Sequence, residues 1–323
     1  MFENFVRLAA ASLLAGTLAV SQAHAQAYPS KPITIVVPFA PGSGTDQQAR
    51  AMAQAITAEY KVPVVVDNRA GASGFLAAQY VAKAAPDGYT VLLTTNTTHA
   101  ANEHLYKKLP YDPVKDFTPV ALLSKGRMLL LVNPSSPYKT VGELVAGARH
   151  DPGKLNFGSG SSSSRVASEM LKQMTGIDVV SVPYKSNPMA ITDLIGGQVN
   201  FMFADAPTAL PQVKGGKLRA LAASGTRRLA SAPDVPTVDE AGVKGYDMSY
   251  WTAVYLPAGA PPAITSQLNA MMAKIASAPA VVAFQNSTSG EVATSTPEEL
   301  AKFQAAESQK WGRIIRAAGI QPE

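Results

Sequence analysis

The stretch Ile33-Thr34-Ile35-Val36-Val37-Pro38-Phe39-Ala40-Pro41-Gly42-Ser43-Gly44-Thr45-Asp46 decides the fold class. Its β-branched start predicts a strand over Ile33–Phe39, and Pro41-Gly42 ends it in a turn. From Thr45 to Tyr60 the apolar residues fall at helical spacing, as in Ala49, Met52, Ala53 and Ile56. The same order then continues. Val62–Asp67 predicts a second strand, Gly74–Ala84 a second helix and Tyr89–Thr95 a third strand. This βαβαβ order argues for a parallel sheet covered by helices.

Working outward, the rhythm breaks and then restarts. Asn96 to Pro119 is polar and turn-rich, and Val120–Val132 reads as one long extended segment. Thr140-x-x-Glu143 is a capping-box pattern opening a helix to about His150. Strands are expected over Leu155–Ser159, Val179–Tyr184, Val199–Ala204 and Leu218–Ala223. Helices are expected over Ser163–Met174, Pro188–Ile195 and Pro207–Val213. Thr237-x-x-Glu240 is a second capping box, and Tyr246–Pro257 is a long aromatic strand. Thr296-Pro297-x-Glu299 opens a tail helix whose Leu300, Phe303, Trp311, Ile314 and Ile315 form one buried stripe. Two βα series, joined by an extended segment with a later return, predict two similar α/β lobes crossed twice by the chain. The expected lobes are residues 26–125 with 252–323, and residues 126–251.

Residues 1–25 read as a signal peptide. Arg7 supplies a cationic start, Leu8 to Val20 an apolar run, and Ala23-His24-Ala25 a small-x-small cleavage pattern. The apolar run is too short to cross a bilayer core of roughly 30 Å as a helix. The expected product is therefore an exported, periplasmic chain. It contains no cysteine, which removes disulfides, thiolate metal sites and thiol nucleophiles. The formal charge of +5 is spread along the chain without a basic run, so nothing marks a nucleic-acid partner.

Polar loops at strand ends carry the candidate chemistry. In Phe39–Asp46, Gly42 and Gly44 permit a tight turn, and Ser43, Thr45 and the free amides of a helix start can face an anion. The alternative is an ordinary strand–helix turn, with Asp46 favouring the helix dipole. Gln47 stands where a dinucleotide fingerprint needs its third glycine, and no Gly-Lys-Ser/Thr follows. Phe157–Arg165 is a second such loop. Its Ser159, Ser161, Ser162 and Ser163 and the first-turn Arg165 make a polar cradle, although Arg165 could instead pair with Glu169. Tyr184, Asp205 and Thr95 stand at further strand ends, where open α/β sheets place their ligands. Tyr184 could equally be a buried ring with a wet tip, and Asp205 a helix cap.

Catalytic constellations are poor. No Gly-x-Ser-x-Gly elbow and no His-Glu-x-x-His are present, and His99 adjoins no nucleophile motif. No catalytic residue, metal ligand or cofactor is nominated. A secreted hydrolase-like enzyme on the same scaffold stays as the alternative to a binding protein.

Taken in order, a set of segments resembles the substrate-binding proteins of tripartite tricarboxylate transporters, the Bug family. They are Tyr28-Pro29-x-Lys31-Pro32-Ile33, Val37–Gly42, Asp67–Gly74, Pro86–Thr90, Asp116-Phe117-x-Pro119-Val120, Val182–Lys185, Asp193–Val199, Gly216–Ala222 and Pro233–Thr237. The resemblance implies a two-lobed periplasmic binding protein fold of type II-like form. Each lobe would be a sheet flanked by helices, with the ligand cleft between them. It implies that Phe39–Asp46, Ala40 included, holds one carboxylate through backbone amides and ordered waters, and that the loop around Ser159–Ser163 holds the rest. The ligand would be a di- or tricarboxylate or an aromatic carboxylate. The partners would be the membrane permease subunits, with a sensor kinase as a further candidate, and the receptor itself would be a monomer. The chain departs from the family pattern at Gly42-Ser43-Gly44, at Arg69–Gly74 and in the serine-rich second loop.

Overall fold

The opening run forms β1 (Ile33–Val37), which leads through the glycine turn into α1 (Gly44–Tyr60). Ser43 caps α1 by accepting from the Asp46 amide, so the helix starts at Gly44. β2 (Val64–Asn68), α2 (Phe75–Ala82) and β3 (Thr90–Thr95) follow, and β1 pairs in parallel with both β2 and β3. The structure, a computed structural model, describes residues 28–323; the expected signal peptide lies outside them. Lys31–Glu323 form one compact unit.

After β3 the chain makes a π-helical turn over Thr97–Ala101, continued by the short α3 (Asn102–Leu105). This is the stretch whose composition suggests only turns. β4 (Phe117–Val132) then runs for 16 residues. It is followed by α4 (Val141–His150), β5 (Asn156–Ser159), α5 (Ser162–Thr175), β6 (Val180–Pro183), α6 (Asn187–Ile195), β7 (Phe201–Asp205), α7 (Ala206–Lys214) and β8 (Arg219–Ala223). The chain returns along β9 (Ser249–Pro257), then adds α8 (Pro262–Ile275), α9 (Pro279–Thr288), β10 (Glu291–Val292) and α10 (Pro297–Ala317).

The strand order is β2-β1-β3-β9-β4-β7-β5-β6, with β8 and β10 also on β4. β4 changes partners along its length. Phe117–Arg127 pairs antiparallel with β9, whereas Met128–Val132 pairs antiparallel with β7 and β8. The switch divides the sheet into a first half, β1 to β3 with β9, and a second half, β5 to β8. Met128, Leu129, Leu130, Leu131 and Val132 are all buried, as a strand with partners on both edges and cover on both faces requires. α10 lays Leu300, Trp311 and Ile315 against the first half, behind the reciprocal Thr296–Glu299 capping box.

One local expectation fails, and two helices arise where none is marked, each for an identifiable reason. The Thr237–Glu240 box forms both of its hydrogen bonds, yet only a turn follows. Gly242 at φ 105° and Gly245 at φ 80° take the chain out of helical space within one turn. α8 and α9 have no counterpart in the sequence reading, because their proline starts follow Gly259 and Ser277 without a capping box.

Candidate functional site

A buried cavity lies where the starts of several helices meet. Ser43, Gly44 and Thr45 at the head of α1 line it from the first half of the sheet. Gly160, Ser161 and Ser163 at the head of α5, Asn187 at the head of α6, and Asp205 and Pro207 at the head of α7 line it from the second. The first amides of a helix have no intrahelical acceptor, and the helix dipole adds partial positive charge there. Among the described residues, no lysine, arginine or histidine lines the cavity, and Asp205 is its one ionisable carboxylate. The space inside this partly open cavity is about 40 Å³, room for about three waters at ~10–15 Å³ each.

Glycines bring these segments together. A Cβ on Gly44 would collide with Asp205 Oδ2, and one on Gly160 would collide with the Ser186–Asn187 backbone. Gly160 N instead donates to Asn187 Oδ1 at 3.2 Å. Gly126 leaves room for the ring of Tyr250, another wall of the cavity. Burial and the nearby Asp205 carboxylate raise the Tyr250 phenol well above its ordinary range, so it keeps its proton.

Of the residues singled out in the sequence, Phe39, Ser43, Gly44, Thr45, Thr95, Ser161, Ser163 and Asp205 meet at this cavity. The other candidates stand back from it. Gly42 N donates to Asp46 Oδ2 at 2.9 Å, and Asp46 also binds Arg50, so this acid braces the turn. Arg165 is bound to Glu323 at 2.7 Å, not to Glu169. Tyr184 donates its hydroxyl to Asp193 at 2.7 Å. Ser159 O accepts from Tyr184 N at 2.8 Å, and Ala40 O accepts from Ser43 N at 3.1 Å. Asp205 caps α7, accepting from the Thr208 amide at 3.3 Å and from Thr208 Oγ1 at 2.5 Å. It also accepts from Asn187 Nδ2 at 2.6 Å.

The serine loop is more committed than its composition suggests. Ser162 Oγ donates to Asn102 Oδ1 at 2.7 Å, and Asn96 Nδ2 donates to Ser163 Oγ at 2.8 Å. Both asparagines come from the segment after β3, so these bonds tie the halves of the sheet together. The Ser161 hydroxyl caps α5 through the Ser164 amide. What the loop still offers is the pair of amides at Ser162 and Ser163, the first in the helix.

The sequence reading missed a further wall. Gln48, Ser124 and Thr252 form a buried polar chain, with Gln48 Nε2 3.4 Å from Ser124 Oγ and Ser124 Oγ 2.8 Å from Thr252 Oγ1. Phe284, Gln285, Thr288 and Gly290 close the cavity from α9 and the turn after it. Thr97 Oγ1 and Gln285 Oε1, both on cavity-lining residues, are buried without a hydrogen-bond partner among the described residues. Gln48 sits one turn after Gly44 on the same helix, a signal that the sequence did contain. Gln285 belongs to a helix that the sequence reading did not see.

Residues 48–320 match the family described as the tripartite tricarboxylate transporter family receptor, TctC. The chain belongs to that family. It is a family of solute-binding receptors, not of enzymes. Among solved structures, this receptor is 34% identical to Rpa4515 of R. palustris, solved with adipate; 92% of this chain and 100% of that one are covered, at a TM-score of 0.89. The periplasmic binding protein BugD is 29% identical over 92% of this chain and 100% of its own, at a TM-score of 0.87. MatC of Rhodopseudomonas palustris, solved with bound malate, is 32% identical over 89% of this chain and 100% of its own, at 0.84. The fold is thus the mixed α/β fold of periplasmic binding proteins.

Proposed function

We propose that this receptor captures a small carboxylate in the cavity between its two lobes and delivers it to the membrane permease subunits of a tripartite tricarboxylate transporter. One observation carries the reading: helix starts from both halves of the sheet converge on a cavity that, among the described residues, no cationic side chain lines. Such a site suits an anion held by oriented dipoles and neutral donors. The relatives solved with adipate and malate support this ligand class. The lobes are residues 26–125 with 252–323, and residues 126–251, and they hinge where β4 changes partners between Arg127 and Met128. The hydrogen bonds that join Asn96 and Asn102 with the serine loop would then belong to the closed form. Delivery in the periplasm rests on cleavage of residues 1–25 before Gln26. A sensor kinase in place of the permease would use the same closure.

Calorimetry of the mature protein against a carboxylate library tests this. At least one di- or tricarboxylate should bind saturably, compact the molecule in small-angle scattering and be recovered unchanged. Equal binding of the corresponding neutral diamide would refute an anion site.

A further inference from the structure

We propose that Asn96 is a positioning residue: it turns the hydroxyl proton of Ser163 into the cavity, where that proton is donated to a ligand carboxylate. This rests on the carboxylate reading above and adds the side chain that readies one donor of the site. Asn96 is fully buried and stands between Thr95 and Thr97, which line the cavity, without lining it itself. Its Nδ2 donates to Ser163 Oγ at 2.8 Å, and its Oδ1 accepts from the Trp251 amide at 3.3 Å. A backbone N–H can only donate, so the Asn96 oxygen belongs on the Trp251 side and its NH2 on the Ser163 side. Ser163 Oγ is thereby an acceptor, and its own proton has no acceptor among the described residues. A hydroxyl that accepts on one side is polarised to donate more strongly on the other. The bond from Asn96 therefore does not use up this serine, and the loop offers more than its two amides.

Asn102 makes the opposite arrangement with the neighbouring serine. Its Nδ2 donates to the Ser73 carbonyl at 2.9 Å, a group that only accepts, so its Oδ1 faces Ser162 and takes that proton at 2.7 Å. The serines of the loop sort accordingly. Ser162 and Ser164 donate to protein, to Asn102 and to the Phe203 carbonyl, and neither lines the cavity. Ser161 and Ser163 accept from protein, from the Ser164 amide and from Asn96, and both line it. Ser161 is oriented within its own helix. Ser163 is oriented from the other half of the sheet, because Asn96 directly follows β3. Under the proposed hinge motion, opening would withdraw Asn96 and leave the Ser163 proton free to turn to water. Closure would then complete a ligand donor as well as enclose the ligand.

Calorimetry on the mature protein reads this. The probe is the tightest wild-type binder among succinate, malate, adipate, citrate and phthalate, measured beside its monoamide. Ser163→Ala should weaken the acid by about 10- to 150-fold, as for a hydrogen bond to a charged group, and the amide by only about 2- to 10-fold. The preference for acid over amide should thus fall at least threefold, whereas loss of a mere tie between the halves would weaken both ligands alike. Asn96→Ala should reproduce that fall, and should change acid affinity by less than about threefold once Ser163 is alanine. A role of Asn96 through Trp251 alone would persist in that background. The proposal is overturned by a folded Ser163→Ala that keeps the wild-type preference, or by an Asn96→Ala effect that is the same with and without the Ser163 hydroxyl; either result leaves the carboxylate reading standing. Failure of all five acids to bind the wild type overturns that reading and this inference with it. If Asn96→Ala does not fold, Ser163→Ala decides alone, because a Ser163 proton turned anywhere but into the cavity leaves the preference unmoved.

Discussion

Gly44 is the position where closure and fold can be separated by one methyl group. It is the first residue of α1 and is not among the glycines held at positive φ, unlike Gly42 at φ 81°. Alanine is therefore compatible with its backbone and is the better helix former. The obstacle lies across the cavity: a Cβ at Gly44 would collide with Asp205 Oδ2 and lie 3.2 Å from Pro207 Cβ. The Asp205 carboxylate cannot easily turn aside, because Asn187 and Thr208 hold it. Overpacking of this kind costs about 1–3 kcal/mol. If the two walls separate on opening, that cost falls on the closed form alone. At ~1.4 kcal/mol per tenfold, Gly44→Ala should weaken binding by roughly 5- to 150-fold. The melting temperature of the free protein should stay level or rise slightly. The assay is calorimetry with whichever acid binds the wild type, paired with small-angle scattering at saturation. Asp205→Ser, which shortens the colliding group and keeps a capping hydroxyl, should recover part of the loss in the double variant. Wild-type affinity in Gly44→Ala would refute the contact between the heads of α1 and α7 as a feature of the bound state.

Two further outcomes are expected. His99 is buried, stacked on Tyr255 with ring centres 4.0 Å apart, and burial lowers its pKa from 6.5 to about 3. The folded protein keeps this ring neutral while the unfolded chain protonates below pH 6.5, so its contribution is complete above 6.5 and is lost as pH falls towards 3. The loss is about 2 kcal/mol by pH 5; His99→Phe should lose less stability than wild type between pH 7.5 and pH 5 in thermal melts, and parallel curves would exclude the effect. Glu291 Oε1 accepts from Arg127 Nη2 at 2.6 Å and from Arg227 Nη2 at 2.7 Å, and the Arg127 hydrogen bond holds its carboxyl below the usual range. Glu291 is 45% exposed, so Glu291→Ala should cost only ~0.2–1 kcal/mol of binding, expressed as faster release in stopped flow and vanishing at high salt.

The βα series were legible because strand and helix periods differ and because turn residues punctuate them. β1, α1 and β5 to β8 fall within a few residues of their expected positions for that reason. The paired loops were legible too, since Gly42-Ser43-Gly44 and the serines before Arg165 each sit between a strand and a helix. Which atoms of those loops stay available was not legible. Ser162 and Ser163 look like donors, but their hydroxyls are engaged by Asn102 and Asn96, 60 and 67 residues away in sequence. Arg165 invites an ion pair within its own helix, yet it meets Glu323. Local spacing cannot rank a neighbour at i+4 against one brought in by the tertiary fold. Gln285 was invisible for another reason: α9 starts at a proline without a capping box, so nothing local marked its face.

The distribution of charge explains how such a receptor can both hold and release an anion. Its cationic partners sit outside the cavity, in pairs such as Arg127 and Arg227 with Glu291, and Arg165 with Glu323. Each is partly exposed and contributes up to ~1 kcal/mol, so under the proposed hinge motion those that bridge the halves would bias closure without locking it. A buried lysine or arginine in the cavity would bind the anion more strongly. It would also cost several kcal/mol of desolvation whenever the lobes met without ligand. Helix-start amides avoid that penalty, because a dipole is cheaper to bury than a net charge. Closing over a ligand that matches the walls adds hydrogen bonds from both halves at once. Closing over a poor match would leave buried polar groups of the walls unpaired. The free energy that discriminates between ligands is therefore the same free energy that shifts the open–closed equilibrium. Under the proposed closure, a receptor built this way would present its permease with a closed form populated mainly by the right acid.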